Sequence, residues 1–465
     1  MRLVPKVALA VAVVALMAFA APAALAKGKK HGKGSTGAKG VAGWIYIDAD
    51  NAVPNKNAVL AIPYTKTGVP QPKKAVQFPT GGTGTPYVTP LPNAVGTATG
   101  DHQVLLSSNK KLLFAVNQGS NSIAVFHVNS HTGALTALKD SPFYSGGLAP
   151  VALGYAHGVL VVANHGIIAP FNPLGNSPPG PSDLVSFRVS PSGSLHEVSS
   201  TAPDPDGLLD STISPSGNEI VTAGFFPEVV FGQPFPTFGP QLMRSVGLSS
   251  GGVLTQQDAW SFPSSWSSGL HLPAFIPPAL YPLPFGVAFN PTSPYVYVDA
   301  AVIGKLAVYD YSNPSNVTLV SSTDNVGPGG APTAACWNVI SKNGKFLYTS
   351  NSVTQNISVF ALSNGGATAT LLEQVPLKST GTNDAFSIDP SGKWLYVIGE
   401  HDDIDSPRPE GIHADGTFSP APLKHNYLDA YKINQTTGNL TEISTTVIPV
   451  PTKNLPYGVT TLAKG

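Results

Sequence analysis

One stretch, repeated with variations along a chain of 465 residues, limits what this sequence can fold into. Residues 334–360, AACWNVISKNGKFLYTSNSVTQNISVF, read as an apolar strand over 336–340, a polar turn (Ser341, Lys342, Asn343, Gly344), a second strand over 345–350 and a third over 357–362. The same strand, turn and strand recur as AFSIDPSGKWLYVIGE from Ala385, VAFNPTSPYVYVDAA from Val287, STISPSGNEIVTAG from Ser211 and VLLSSNKKLLFAVNQ from Val104. Self-similarity at this period belongs to chains in which each repeat is one unit whose apolar face only its neighbours can cover.

Aligning the repeats on their second strand puts Ile45, Leu113, Leu160, Ile220, Val296, Leu347 and Leu395 at one equivalent position, which defines seven units. Third and fourth strands follow in NSIAVFHVNSHTGALTAL from Asn121, DLVSFRVSPSGSLHEV from Asp183, KLAVYDYSNPSNVTLV from Lys305 and YLDAYKINQTTGNLTEI from Tyr427. Each alternates apolar and polar residues about a Gly- or Asn-bearing turn, as hairpins do. Four strands per unit at this spacing predict an all-β, seven-bladed β-propeller over residues 43–465. Residues 43–48 look like a second strand with no first strand ahead of them, and 455–462 like a first strand with nothing after it. The C-terminal strand is therefore expected to complete blade one and close the ring, which removes an open sheet edge.

The ends and the composition bound the rest. Residues 1–26 carry Arg2 and Lys6, an apolar run over 7–20 and Ala24-Leu25-Ala26 ahead of Lys27, the pattern of a cleaved secretory signal peptide. Export is expected to leave a secreted or cell-surface-associated chain with no membrane span. Residues 27–42, opening KGKKHGKGSTGAKG, hold lysine and glycine with nothing to bury, and read as a disordered spacer or an electrostatic tether to an anionic surface. Over the whole chain Lys+Arg and Asp+Glu both number 26 and charged residues are 11%, which gives a nucleic acid nothing to hold. Cys336 is the single cysteine, so no intrachain disulfide contributes and stability rests on burial.

LFAVNQGSNSIAVF from Leu113, PFGVAF from Pro284, AACWNVISKNGKFLYTSN from Ala334 and NDAFSIDPSGKWLYV from Asn383 together resemble the lactonase-type seven-bladed propellers, a family that includes 6-phosphogluconolactonase-like and 3-carboxymuconate cyclase-like proteins. The resemblance extends over nearly all of the chain after Gly43. It implies a site at the channel mouth and formation or hydrolysis of a lactone-type ester, with no cofactor required. The sugar-phosphate lactonases of the family are expected to carry an Arg-His pair where this chain has Cys336 and Trp337. That departure removes the cation an anionic sugar would need, so a sugar-phosphate substrate is not expected.

Eight residues before the turn glycine or its equivalent stand His102, Phe285, Cys336 and Asp384, with Tyr457 on the closing strand; these are expected to ring the mouth. His102, Asp384 and Cys336 are the candidate catalytic residues, because a nucleophilic thiol or water needs a base and an imidazole needs an orienting carboxylate. The plainer alternative is that Cys336 is a small core residue. Trp337, Phe285 and Tyr457 would bind substrate with Phe225, Trp260 and Trp266, which come from aromatic, Pro-rich loops over residues 166–182, 225–240 and 260–285. Those loops form either the wall of a pocket for an apolar or ring-shaped ligand or a plug packed on itself. Residues 400–416, EHDDIDSPRPEGIHADG, are either a solvated acidic loop or a site for Ca²⁺ or another divalent metal through Glu400, His401, Asp402 and Asp403, with Asp48 and Asp50 close by in blade one. Two functions from different classes remain open: a lactonase-like enzyme, or a non-catalytic extracellular binding propeller for a ligand, glycan or protein partner. In either case the chain is expected to act as a monomer.

Overall fold

The computed structural model describes residues 40–84, 102–166, 182–201, 208–224, 242–267, 282–327, 330, 333–352, 354–379, 382–400, 410–412, 418–419, 425–451, 454 and 456–465. Seven antiparallel sheets, each with a four-stranded path, make a seven-bladed propeller. From blade one to blade seven the innermost strands are Tyr457–Ala463, Val104–Leu106, Pro150–Ala156, Leu208–Ile213, Pro284–Phe289, Ala335–Ile340 and Thr382–Ile388. The second strands are Val41–Asp48, Leu112–Asn117, Val159–Asn164, Glu219–Gly224, Tyr295–Ala300, Phe346–Asn351 and Trp394–Glu400. Neighbouring innermost strands pack on one another all the way round, and Tyr457–Ala463 pairs antiparallel with Val41–Asp48. The last strand of the chain thus closes the ring. Helix among the described residues is confined to short 3-10 turns such as Gln118–Ser120 and Asn364–Gly366.

The seven aligned positions Ile45, Leu113, Leu160, Ile220, Val296, Leu347 and Leu395 are each 0% exposed, so they mark the plane where blade packs on blade. Local chemistry sets the turn ahead of them. Ser341 Oγ accepts the Phe346 N–H (2.9 Å), Ser214 Oγ that of Glu219 (3.1 Å), Ser107 Oγ that of Leu112 (3.0 Å), and Asp389 Oδ1 that of Trp394 (2.9 Å). A side-chain acceptor at the turn's first residue thus holds the start of the second strand, as Ser and Asp do in turns. The left-handed residue each turn needs is Gly344, Gly217, Gly392 or, in blade two, Lys110.

Candidate active site at the channel mouth

The mouth is shaped by a repeated irregularity. In blades one, four, five, six and seven one residue of the innermost strand has no partner on the second strand: Gly458 between Tyr457 and Val459, Leu209, Gly286, Cys336 and Asp384. Blade three does the same at Val151. A bulge bends the strand and re-aims what it carries, and bulges are common beside active sites. Cys336 and Asp384, two of the residues picked from the repeat spacing, therefore hold the same bulge position on adjoining blades. In blades five and one the bulged residue is a glycine one place after Phe285 and Tyr457. Both glycines sit where chains approach closely: a Cβ on Gly286 would lie 2.6 Å from the Cys336 carbonyl oxygen, and one on Gly458 would lie 2.8 Å from Gln103 Cβ.

The Cys336 side chain is 3% exposed; its thiol donates to the Ala334 carbonyl (3.2 Å) and its sulfur accepts the Ser352 hydroxyl (3.1 Å). Trp337 is buried and meets Phe285 edge-on, with ring centroids 5.6 Å apart. The Asn338 amide ties this strand to blade five by donating to the Gly286 carbonyl (2.9 Å), and Thr349 Oγ1 donates to Asn338 Oδ1 (2.5 Å). Tyr457 is buried opposite Asp48. His102 lies on the left-handed backbone (φ 61°) immediately ahead of Gln103, the residue against which the blade-one bulge packs. The backbones of Asp384 and Glu400 are described and their side chains are not. Phe225, His401, Asp402 and Asp403 lie outside the described residues, as do residues 1–39 and most of the three aromatic loops. Of those loops, the described Phe262 stacks on Trp266 (5.4 Å) and Trp260 tilts against Tyr309 of blade five (5.7 Å), so these rings fill the seam between blades four and five. Lys305 Nζ stands 5.7 Å from the Trp266 ring centre.

Acidic side chains sit deeper at this face than the spacing of the repeat indicated. Asp48 and Asp299 occupy the same second-strand register in blades one and five and are each 0% exposed, at a position that is Val116, Ala163, Ala223 and Ile398 in blades two, three, four and seven. An Asp inside an apolar strand, as in YVYVDA, was the available signal for Asp299. Asp429, at the start of blade seven's third strand, accepts Ser379 Oγ and, at 2.5 Å, Thr445 Oγ1. Burial raises its carboxyl, and likewise that of Asp183 in blade three, above the usual carboxylate range, while the donors to each oppose the rise. Among the described residues no group of three or more His, Cys, Asp or Glu side chains is placed to hold a metal ion.

Ring, closure and bulged innermost strands define a seven-bladed propeller. By sequence, residues 286–404, about a quarter of the chain, match the family model "Lactonase, 7-bladed beta-propeller". A 6-phosphogluconolactonase of Yersinia pestis (strain Pestoides F) is 25% identical over 191 residues, covering 35% of this chain and 56% of the relative. One from Pectobacterium atrosepticum is 26% identical over 159 residues, covering 34% and 40%. The match thus spans about half the length of these relatives. Among solved structures, the Pseudomonas aeruginosa periplasmic gluconolactonase superposes with a TM-score of 0.59 at 12% identity, over 91% of this chain and 99% of that one. A putative 6-phosphogluconolactonase of Bacteroides fragilis gives 0.56 at 14% identity, over 92% and 99%. At such identities the superpositions speak to fold. No helix among the described residues is long and apolar enough to cross a membrane.

Proposed function

We propose that this chain is an exported, monomeric lactonase-type hydrolase that opens a neutral, apolar or aromatic cyclic ester at the mouth where blades six, seven, one and two meet. The observation that carries the reading is the shared bulge. It sets Cys336 and Asp384 at one register on adjoining blades, and it brings blade one's bulge, Gly458, against the residue that follows His102. The roles follow from chemistry. His102 takes a proton from water as the water oxygen attacks the ester carbonyl carbon; the ring C–O bond then breaks and the proton passes to the departing alkoxide, leaving a hydroxy acid. Asp384 orients the imidazole and stabilises its charged form. A thiol that is buried and hydrogen-bonded on both sides favours water over Cys336 as nucleophile.

The Cys336-Trp337 pair offers no cation to a phosphate, which directs the reading away from phosphorylated sugars. The N-terminal 26 residues support export. Assay of the purified chain against aliphatic and aromatic lactones by titration of released acid tests the proposal. Turnover lost in both His102→Ala and Asp384→Ala, and retained in Cys336→Ser, is expected. A parent inactive across the panel would leave the chain a non-catalytic binding propeller, for which the partly exposed Trp260 and Trp266 are the available aromatic surface.

A further inference from the structure

Blade one ends its second strand on a carboxylate that the lactonase reading does not use. Asp48 is 0% exposed, its Oδ1 accepts the Asp50 N–H (3.1 Å), and its Oδ2 has no hydrogen-bond partner among the described residues. Asp50, only 6% exposed, is held on left-handed backbone (φ 43°), where a Cβ on Gly84 would lie 2.5 Å from its Oδ1. Across the sheet Asp48 faces Tyr457, and the next residue, the bulged Gly458, is the one that touches Gln103 of blade two. Gln103 is 1% exposed and its amide oxygen, Oε1, also has no partner among the described residues. Asp48 and Gln103 thus flank the Tyr457–Gly458 step at the seam between blades one and two, each more than nine-tenths buried with one acceptor oxygen unanswered, and the buried Asp50 follows two residues after Asp48. Native proteins satisfy such atoms with a proton, a water or an ion. Burial, and after it the charge of Asp50, hold the Asp48 carboxyl well above the usual carboxylate range.

We infer that this seam binds a hard divalent cation of the calcium class, with the Asp48 and Asp50 carboxylates and the Gln103 amide oxygen as its protein ligands. Oxygen donors alone, with no imidazole or thiolate among them, suit a hard cation. Two carboxylates neutralise a divalent charge, and calcium accepts an irregular donor set more readily than magnesium does. The site adjoins the proposed lactone chemistry, since Gln103 follows His102 and Asp48 faces Tyr457, but calcium binding by the chain tests it whether or not a lactone is turned over.

The full chain, stripped with a chelator and desalted, is titrated with CaCl₂ by equilibrium dialysis and by thermal unfolding at pH 7.5. One calcium per chain is expected, with a rise in melting temperature. Asp48→Asn should weaken binding at least about tenfold, as loss of a charged ligand does, while melting no lower than the calcium-free parent. Gln103→Leu, which leaves both carboxylates, should weaken it less. No calcium bound by the parent at millimolar concentration would overturn the inference. So would undiminished binding by both variants, which would place the cation elsewhere, or a chain that binds none and is stabilised by acid through Asp48, which would show that the pair holds a proton.

Discussion

Blades five, six, seven and one are joined to their neighbours differently from blades two, three and four. In the first arc a tyrosine one place after the aligned core position donates its hydroxyl to a carbonyl in the turn between strands three and four of the next blade. Tyr297 reaches Gly366 (2.8 Å), Tyr348 Gly438 (2.9 Å), Tyr396 Gly68 (2.9 Å) and Tyr46 Gly133 (3.1 Å). Burial raises the Tyr297 hydroxyl to about 12 and the other three higher still, so all four remain donors. In the second arc the equivalent residues are Phe114, Val161 and Val221. Two of these blades recover the bond from the facing strand: Ser186, the cross-strand partner of Val161, donates to the Gly252 carbonyl (2.5 Å), and Ser245, the partner of Val221, to that of Pro314 (2.6 Å). Blade two has neither, and Phe114 stacks on Tyr155 instead (5.5 Å). What the interface needs is a donor for a buried carbonyl, and a long side chain on one strand or a short one on its neighbour supplies it.

The largest test cuts the arc that contains the closure. Removing residues 454–465 takes the innermost strand from blade one and should abolish cooperative unfolding by heat; a melting temperature unchanged from the parent would break the account of ring closure. Next is the tyrosine's target. Gly438 has φ +80°, and a Cβ there would sit 2.3 Å from the Phe346 ring. Gly438→Ala should therefore cost about 2–5 kcal/mol in denaturant unfolding, from left-handed strain and overpacking together. The smallest effect sharpens the comparison most. Tyr348→Phe strands the Gly438 carbonyl and Ser186→Ala that of Gly252, along with a longer contact to the Ser199 carbonyl (3.2 Å), and each should cost about 1–3 kcal/mol. Similar losses would show serine standing in for tyrosine, and a loss in Tyr348→Phe alone would show that the second arc relies on packing.

The family match falls on residues 286–404, all within the tyrosine-clasped arc. The copies of the repeat easiest to read in the sequence lie there too. The turn motifs and the seven core positions were legible because they depend on neighbours in sequence: a serine or aspartate accepting from the next strand, a left-handed glycine, and a two-residue alternation of burial. Spacing alone also singled out Cys336 and Asp384, which share one bulge register.

The sequence by itself determined the number of blades and the strand that closes the ring. Only the tertiary structure decided the register of the innermost strands. A bulge changes which residue opposes which without changing the apolar pattern on either side, so Gly286 and Gly458, not Phe285 and Tyr457, take the position that Cys336 and Asp384 share. It also decided which acids are buried. Asp48 and Asp299 lie in strands whose other residues read as core, and burial there depends on the neighbouring blade, a contact that no local pattern in either strand encodes.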